Sequence, residues 1–300
     1  MNPDPKESYQ DSVYRKWINQ ETVMNLTVLD LSFHDRGFYS LLASSSGATA
    51  VYNIQKDLPT WINVNEVIQS NNSSIQCLYF SDLRSIKLPS KVNVIITNST
   101  DSHIFYNFGL FCDVMEVKDR YLDKQKGFMI PRRFSIHLCA IQDSVYKEEN
   151  INIWKNQQVL GFDLSPMMNK AVEEIYYRNI QYDNVISNSV KLLDIDLING
   201  TFKDLEKACI FWNLSFFHES VFDALLIHFV IESSEDKYEI SPRHPSSLGC
   251  PVFFLYSPYH VTPSDELKGK VEFHLNRNNR RDSIIQFKLD NMKEFTFKVI

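Results

Sequence analysis

The spacing of apolar residues divides the chain into two parts with different patterns. In the first part, short apolar runs alternate with segments of helical periodicity. This alternation predicts a parallel sheet with helices on its faces. The predicted strands are Thr27–Leu31, Val51–Ile54, Ile75–Tyr79 and Val92–Ile96. The predicted helices are Phe38–Ser45, Leu58–Ser70 and Phe105–Lys124, and Pro59 suits the first turn of the second one.

After Ile130 and Pro131, apolar and polar residues alternate over many short segments, a pattern typical of strands. The predicted strands are Arg133–Ile141, Ser189–Leu197, Ile210–Phe217, Phe222–Glu232, Val252–Tyr256, Lys270–Leu275, Ile284–Leu289 and Phe295–Ile300. Many strands with few helices indicate an antiparallel sandwich or barrel.

One helix is predicted within this second part, over Ser165–Arg178. Ser165 can cap its first turn, and Pro166 suits the first helical position. Its apolar face consists of Met168, Ala171, Val172, Ile175 and Tyr176. From the pattern alone, this face either packs on its own domain or contacts a partner.

Composition narrows the class of protein. The net charge of −6, from 31 basic and 37 acidic residues, argues against a dedicated nucleic-acid-binding protein. The five cysteines are scattered without metal-ligand spacing, which favours reduced thiols in a cytoplasmic protein, or one that is nuclear as well. No signal-peptide pattern precedes the first strand, and the longest apolar run is shorter than the roughly 18–20 residues of a membrane span. We therefore expect no membrane association.

A basic cluster near the C-terminus consists of Lys268, Lys270, Arg277, Arg280 and Arg281. These side chains either contact RNA or belong to a solvated turn of the predicted barrel.

The strand Val92–Ile96 leads into a polar loop, TNSTDSHIFYN, over 97–107. In open α/β sheets, such a strand end is where reactive groups lie. This loop carries hydroxyls, amides and a single Asp101. It contains no nucleophile beside a base, no pair of carboxylates and no glycine-rich phosphate loop.

Five local matches, taken together, resemble the protein arginine methyltransferase family, and they extend over nearly the whole chain. VLDL at 28–31 resembles the family's first strand, VLDVG, and GFYSLLASSSG at 37–47 resembles the following helix, GILSMFAAKAG. LP at 88–89 followed by VNVIITN at 92–98 resembles LP…VDIIISE. FMIPRR at 128–133 resembles LIFPDR, whose proline is cis in the family. GFDLS at 161–165 resembles GFDMS, which opens the family's dimerisation arm.

The resemblance implies two domains. Residues 1–131 would form a degenerate Rossmann-like domain of the type that binds S-adenosylmethionine. Residues 132–300 would form an antiparallel β-barrel with a helical dimerisation arm inserted at about 161–186. Family members form head-to-tail dimers in which the arm of one subunit packs on the nucleotide-fold helices of the other. The implied partner-binding residues of the arm are Met167, Met168, Val172, Ile175, Tyr176 and Tyr177.

The resemblance also identifies the positions of this chain that correspond to the family's cofactor-binding residues. Of the family's glycine-rich loop after the first strand, only one glycine is present in this chain. The family's ribose-binding acid corresponds to Gln55, and the acid near its adenine to Arg84. The positions in question are Gln10, Ser32, His34, Gly37, Gln55 and Arg84. Large side chains should crowd a loop in which glycine lets the backbone approach a ligand. We therefore expect this chain to bind no cofactor.

The family's two catalytic glutamates correspond to Asn98 and Asn107. Its Thr-His-Trp loop corresponds to Ser246, Ser247 and Leu248. An asparagine brings no negative charge to a guanidinium cation, and charge-assisted hydrogen bonds are the strong ones. These substitutions predict a catalytically inactive chain that is not an enzyme.

Within the family, the chain is most like the inactive prozyme subunits. The resemblance implies a hetero-oligomer, a heterodimer or heterotetramer, with a catalytic type I arginine methyltransferase paralogue. The chain would activate or stabilise that paralogue for asymmetric dimethylation of arginine-rich proteins, and the paralogue would use S-adenosylmethionine. Two alternatives remain: an atypical but active S-adenosylmethionine-dependent methyltransferase, and a scaffold or RNA-associated protein that acts without a methyltransferase.

Overall fold

The computed structural model describes residues 8–33, 35–71, 73–99, 103–156, 158–159, 162–234, 236–244, 249–279, 282–289 and 294–298. Among these residues, no helix is both long enough and apolar enough to cross a membrane.

The first part of the chain forms a parallel sheet of five strands. These are β1 (Thr27–Asp30), β2 (Ala50–Gln55), β3 (Gln76–Tyr79), β4 (Val94–Ile96) and β5 (Phe128–Ile130). Their order across the sheet is β3-β2-β1-β4-β5, so β1 and β4 are neighbours at the centre. Chain order reverses between these two strands, and their carboxyl ends therefore form the crevice where ligands of such sheets bind.

Helices cover this parallel sheet. They are α1 (Tyr9–Trp17), α2 (Gln20–Val23), α3 (Phe38–Ser45), α4 (Leu58–Ser70), α5 (His103–Tyr106) and α6 (Phe108–Tyr121), with a 3₁₀ turn at Leu83–Ser85. The predicted bounds of α3 and α4 are confirmed. The α4 helix begins after Asp57, whose side chain accepts a hydrogen bond from the Thr60 N–H at 2.8 Å. The predicted single helix Phe105–Lys124 is wrong, because the chain breaks at Asn107 into α5 and α6.

The second part of the chain is antiparallel. Its strands are β6 (Arg133–Ile141), β7 (Gln158–Val159), β8 (Phe162–Asp163), β9 (Tyr176–Arg178), β10 (Val190–Asp196), β11 (Cys209–Ser215), β12 (Ser220–Glu232), β13 (Lys237–Ile240), β14 (Cys250–Val261), β15 (Glu266–His274), β16 (Ile284–Leu289) and β17 (Glu294–Lys298). Most of them form one sheet with order β10-β6-β12-β14-β9, to which β13 adds on β12, and another with order β11-β15-β16-β17. The two sheets enclose a core in which the Phe253 ring lies 5.0 Å from the rings of Phe287 and Phe297. The predicted succession of a parallel α/β part and an antiparallel β part is confirmed.

The helices of this part are short. They are α7 (Ser144–Asn150), α8 (Met167–Glu173) and α9 (Lys203–Glu206), with 3₁₀ turns at Asn152–Asn156 and Tyr182–Asn184. The predicted helix Ser165–Arg178 is wrong at its C-terminal end. Helix α8 stops at Glu173, and β9 follows because Tyr176–Arg178 pairs with Cys250–Val252 of β14. The predicted division at 131 and the predicted arm at about 161–186 stay predictions.

The junction between the two parts carries the implied cis peptide bond, Ile130–Pro131. Aromatic packing joins the parts directly: the Phe105 ring of α5 lies 5.8 Å from Phe229 of β12 and 5.4 Å from Phe273 of β15. Arg277 adds charged contacts, because its Nη2 lies 2.8 Å from Asp113 Oδ1 and 2.8 Å from Glu116 Oε2 of α6. These contacts hold α5 and α6 of the first part against the antiparallel part.

The predicted basic cluster is therefore largely neutralised. Arg277 bonds both carboxylates on α6 rather than standing in solvent, and it lowers the pKa of Glu116. Lys268 and Lys270 contact Glu266 and Glu272 on their own strand. Arg280 and Arg281 lie outside the described residues.

Replacing Arg277 by glutamine is expected to lower the free energy of unfolding by about 2 kcal/mol, because two half-buried carboxylates lose their charged donor. Lys268→Gln is the matched control, since that exposed lysine contacts Glu266 at 3.2 Å, and such surface pairs contribute about 0–1 kcal/mol. Urea denaturation of both variants measures the difference. Equal losses would contradict a specific role for Arg277 at the junction.

Candidate functional site

The ends of β1 and β4 are tied to each other by hydrogen bonds. Asn98 follows β4, and its Oδ1 accepts from the Phe33 N–H at 3.1 Å. Its Nδ2 donates to the Phe33 carbonyl at 2.7 Å. Phe33 itself is buried. Both ends of the Asn98 amide are therefore used by the backbone of the loop that follows β1.

That loop also caps the helix it leads into. Asp35 accepts hydrogen bonds from the N–H groups of Gly37 at 3.0 Å and Tyr39 at 3.1 Å, at the start of α3. A helix N-terminus offers free N–H groups to anions, and here the chain's own carboxylate takes two of them. Burial and the nearby charge of Asp30 raise the pKa of Asp35.

Gly37 retains a role that only glycine fills well. Its φ is +79°, and a Cβ at this position would lie 3.0 Å from Val64 Cγ1 of α4. The preceding Arg36 also has a positive φ, +58°, which is unusual for a residue with a side chain. The turn between β1 and α3 is thus tight, and α4 lies directly against it.

A buried polar network lies behind the turn. Asp30 at the end of β1 accepts from Ser40 Oγ at 2.6 Å, from Asn53 Nδ2 at 3.2 Å and from the Ser32 N–H at 2.9 Å. Gln55 Nε2 donates to Asn53 Oδ1 at 2.9 Å, which extends the network along β2. Burial raises the pKa of Asp30. The side-chain amide of Gln55 is therefore directed into this network.

Three other predicted positions lie farther from the network or are exposed. Gln10 lies on α1 and is half-buried. Arg84 is exposed and binds Asp82 with two nitrogens, at 2.9 and 3.0 Å. Asn107 is exposed at the start of α6 and forms no side-chain cap hydrogen bond. His34, Ser246, Ser247 and Leu248 lie outside the described residues, so the predictions about them stay predictions.

Helix α1 closes the crevice from one side through contacts that were not predicted from the sequence. The Tyr14 hydroxyl donates to the Thr97 carbonyl at 2.8 Å, and its ring stacks on Tyr39 at 4.5 Å. Tyr39 in turn donates to Asp11 Oδ1 at 3.1 Å. The three-residue spacing of Asp11 and Tyr14 places them on one helix face, which is the signal that could have identified this contact.

The arm residues divide into two groups. Val172 is 1 % exposed, and Met168 and Ile175 pack against the same core. The Tyr176 ring lies 5.6 Å from Phe254 of β14, and its hydroxyl donates to the Ala171 carbonyl at 2.8 Å. Val172 is therefore buried in the chain's own core, and its assignment to a partner interface stays a prediction.

Other members of the arm remain accessible. Met167 is 41 % exposed and Tyr177 is half-buried, while Phe162 in β8 is 69 % exposed. These residues are available to a partner, and their assignment to an interface stays a prediction.

The strand ends offer limited chemistry in the described residues. Asn98 and Asn107 carry amides, and the carboxylates of Asp30 and Asp35 are taken up by hydroxyl, amide and backbone donors. Within the described ranges, no group of three or more His, Cys, Asp or Glu side chains is arranged to hold a metal ion. Among the described residues, these hydrogen bonds hold the loop after β1 in place, and they do not leave a pair of negatively charged carboxylates to bind a cation.

Comparisons with known proteins identify clear relatives. A family model described as the arginine methyltransferase oligomerization subdomain matches residues 132–293. Protein arginine N-methyltransferase 8-B of Danio rerio is 28% identical over 290 residues, covering 94% of this chain and 67% of that protein. Protein arginine N-methyltransferase 1 of Saccharomyces cerevisiae is 27% identical over 293 residues, covering 92% of this chain and 82% of that protein.

A solved structure shares the fold. It is described as the Trypanosoma brucei PRMT1 enzyme-prozyme heterotetrameric complex with AdoHcy. The TM-score is 0.85 at 21% identity, with 96% of this chain and 94% of that chain covered.

These comparisons overturn one prediction made from the sequence. The chain was expected not to be an enzyme, on the strength of its altered site positions. Its relatives are named protein arginine N-methyltransferases, so the prediction is wrong: the similarity is to enzymes.

Proposed function

The chain belongs to the protein arginine methyltransferase family, and we propose that it acts in arginine methylation as one subunit of a hetero-oligomer with a type I methyltransferase paralogue. In this proposal the chain activates or stabilises the paralogue, which modifies arginine-rich proteins in the cytoplasm or nucleus. The observation that carries the proposal is the double hydrogen bond between Asn98 and the Phe33 backbone. These two bonds use the polar atoms of Asn98, at the end of β4, to hold the chain's own loop after β1.

The match to an oligomerization subdomain over residues 132–293 supports a role in assembly. The solved neighbour named above is itself an enzyme–prozyme heterotetramer. By analogy with that complex, we propose that this chain also works beside a second methyltransferase chain, as a heterodimer or heterotetramer.

Exposed apolar surface on the nucleotide-fold half fits such an assembly. Leu58, Ile62 and Val67 of α4 are 49 %, 43 % and 36 % exposed. On the same half, a groove of about 440 Å³ is lined by Phe38, Leu41 and other residues of α3, with Asn71 and Ser73 from the segment after α4. In the head-to-tail arrangement that the family resemblance implies, a partner's arm would pack on these helices, and Met167 of this chain would pack on the partner's.

We propose that the cofactor of the assembly, S-adenosylmethionine, is used by the partner. The described residues of this chain fit it poorly, because Asp35 caps the α3 N-terminus and Phe33 is buried where the glycine-rich loop would lie. The Gln55 amide is likewise held by Asn53. No step of methyl transfer is assigned to these residues.

Activation would follow from a shift in population. If the partner's cofactor-binding helices are ordered only in part when it is alone, packing on this chain favours the ordered state. For the competent state to change from a minor to the dominant population, this chain must bind that state much more tightly than it binds the partly ordered one.

A second candidate is methyl transfer by this chain itself, and the names of its relatives favour it. Calorimetric titration of S-adenosylmethionine into the isolated chain separates the two candidates. Saturable binding supports the second candidate, and a flat titration supports use of the cofactor by the partner.

The proposal is tested by purifying the tagged chain from its own host and identifying co-purifying proteins by mass spectrometry. The expected result is a methyltransferase paralogue in a fixed ratio, with the mass of a heterodimer or heterotetramer by light scattering. A monomer or homodimer without a methyltransferase would contradict the proposal. RNA retained in a salt-sensitive way would favour the RNA-associated alternative.

A further inference from the structure

A cavity of about 570 Å³ lies on the antiparallel half, away from the crevice described above. Its floor is formed by side chains of β6, β10 and β12, and β13 and the loop after it form one wall. Cavities of roughly 300–1,000 Å³ bind small molecules. The size therefore suits a ligand of about nucleotide size.

Strand alternation separates this cavity from the strand ends of the parallel sheet. Successive side chains of a strand point to opposite faces. On β12, Phe229 packs on Phe105 of α5, whereas His228 and Val230 line the cavity. The cavity thus lies on the opposite face of the six-stranded sheet from α5, and it is distinct from the candidate site.

Two stacked histidines form part of the floor. His137 and His228 are directly opposite each other on β6 and β12, and their ring centroids are 5.0 Å apart. His137 Nε2 pairs with Ser135 Oγ at 2.8 Å, and His228 Nε2 pairs with Ser189 Oγ at 2.7 Å. Burial lowers the pKa of both rings, that of His228 to about 3, so both are neutral near pH 7.

One polar atom of this floor has no partner. His228 is only 9 % exposed, and its Nδ1 is buried without a hydrogen-bond partner within the described part of the chain. Buried polar atoms of native structures are normally satisfied by protein, water or ligand. This nitrogen is itself inaccessible to solvent, so a molecule in the open cavity would contact the accessible groups of the lining rather than Nδ1.

Positive charge lies around the mouth. Lys191, Lys237 and Arg243 line the cavity, together with the carboxylates of Glu232 and Glu239. Lys237 contacts Glu239 at 3.3 Å, and Lys191 contacts Asp194 at 3.0 Å; surface pairs of this kind are weak and exchange readily.

Arg243 differs from the two lysines. Its guanidinium carbon lies 4.2 Å from the centre of the Tyr182 ring, and it donates to the Tyr182 hydroxyl. Among the described residues, no carboxylate lies within ion-pair distance of it. A guanidinium held on an aromatic face keeps further N–H donors in the planar arrangement that matches a carboxylate or phosphate.

We propose that this cavity binds a small organic anion, a phosphate or carboxylate that also carries hydrogen-bond donors. Arg243 and the two lysines would bind the anionic group. The serine hydroxyls and the histidine pair would orient the rest of the molecule, and Glu232 would accept from its hydroxyl or amino hydrogens. This proposal does not depend on the proposed role in arginine methylation.

Calorimetric titration with AMP, citrate and neutral adenosine tests the proposal. We expect AMP or citrate to bind saturably below about 1 mM and adenosine to bind about tenfold more weakly or not at all. Absence of saturable binding by both anions would overturn the proposal, as would adenosine binding as tightly as AMP.

Substitutions of residues that line the cavity test whether the anion binds there. Arg243→Gln and Lys191→Gln change exposed side chains, so the fold is preserved, and each is expected to weaken anion binding about tenfold. The matched control is Lys268→Gln, an equal charge change at an exposed residue of β15 outside the cavity lining. In protein with ¹⁵N-labelled histidine, the His228 ring resonances are expected to shift on binding. Unchanged affinity in both cavity variants, or unshifted His228 resonances, would contradict the assignment.

Discussion

Replacement of Asp30 by alanine is expected to lower the free energy of unfolding by about 3 kcal/mol or more, because it leaves several buried donors without an acceptor. Asp30 is fully buried and accepts from Ser40, from Asn53 and from the Ser32 N–H. Each buried polar group that loses its partner costs about 1–3 kcal/mol. The network spans β1, β2 and α3, so the loss should extend to the whole parallel sheet.

The control for this prediction is Asp30→Asn. Burial raises the pKa of Asp30, which means that the site favours the neutral carboxyl, and asparagine is a neutral side chain of nearly the same shape. It keeps one acceptor oxygen, and we expect it to lose less than half as much stability as alanine. Urea denaturation monitored by circular dichroism measures both variants. A loss in Asp30→Ala no larger than in Asp30→Asn would contradict the role given to this network.

Replacement of Met167 by glutamate is expected to weaken association with a methyltransferase partner by about 100-fold, because a charge would be buried in an apolar contact. Met167 is 41 % exposed in the single chain, so the substitution should leave its stability nearly unchanged. Ile175 and Tyr176 are poorer probes of the interface, since both pack on the chain's own core.

Val145→Glu is the matched control, because this valine is 70 % exposed on α7, outside the arm. Its affinity for the partner should equal that of the unmodified chain. Surface plasmon resonance with the immobilised partner compares the variants. Equal affinities of Met167→Glu and Val145→Glu would mean that the arm does not form the interface.

The fold could be predicted where local signals and tertiary packing agree. The helix Leu58–Ser70 was predicted with its observed bounds, with Pro59 in its first turn as the start signal, and the structure adds Asp57 as its N-cap. The break at Asn107 was missed, since apolar residues continue with helical spacing on both sides of it. The C-terminal end of the predicted arm helix failed for a different reason: Tyr176–Arg178 is recruited as a strand by β14, far away in the chain.

The site could be predicted only in part, because residue types can be read from a sequence but their partners cannot. Family resemblance identified Asn98 as a position of interest. Its bonds to Phe33 depend on β1 and β4 being neighbours, which only the sheet order reveals. Likewise, the sequence left Arg277 in a basic cluster that either contacts RNA or is solvated, because its partners Asp113 and Glu116 lie more than 160 residues away in sequence. The altered site residues led to the prediction that the chain is not an enzyme. Its similarity to proteins named as methyltransferases contradicts that prediction.

The most direct test of the proposed function is methyl transfer to an arginine-rich peptide by three samples: the partner methyltransferase alone, this chain alone, and the two purified together. The account predicts that the pair transfers methyl groups faster than the sum of the separate samples, and that Met167→Glu removes the excess while Val145→Glu retains it. A rate for the pair equal to that sum would contradict activation by this chain.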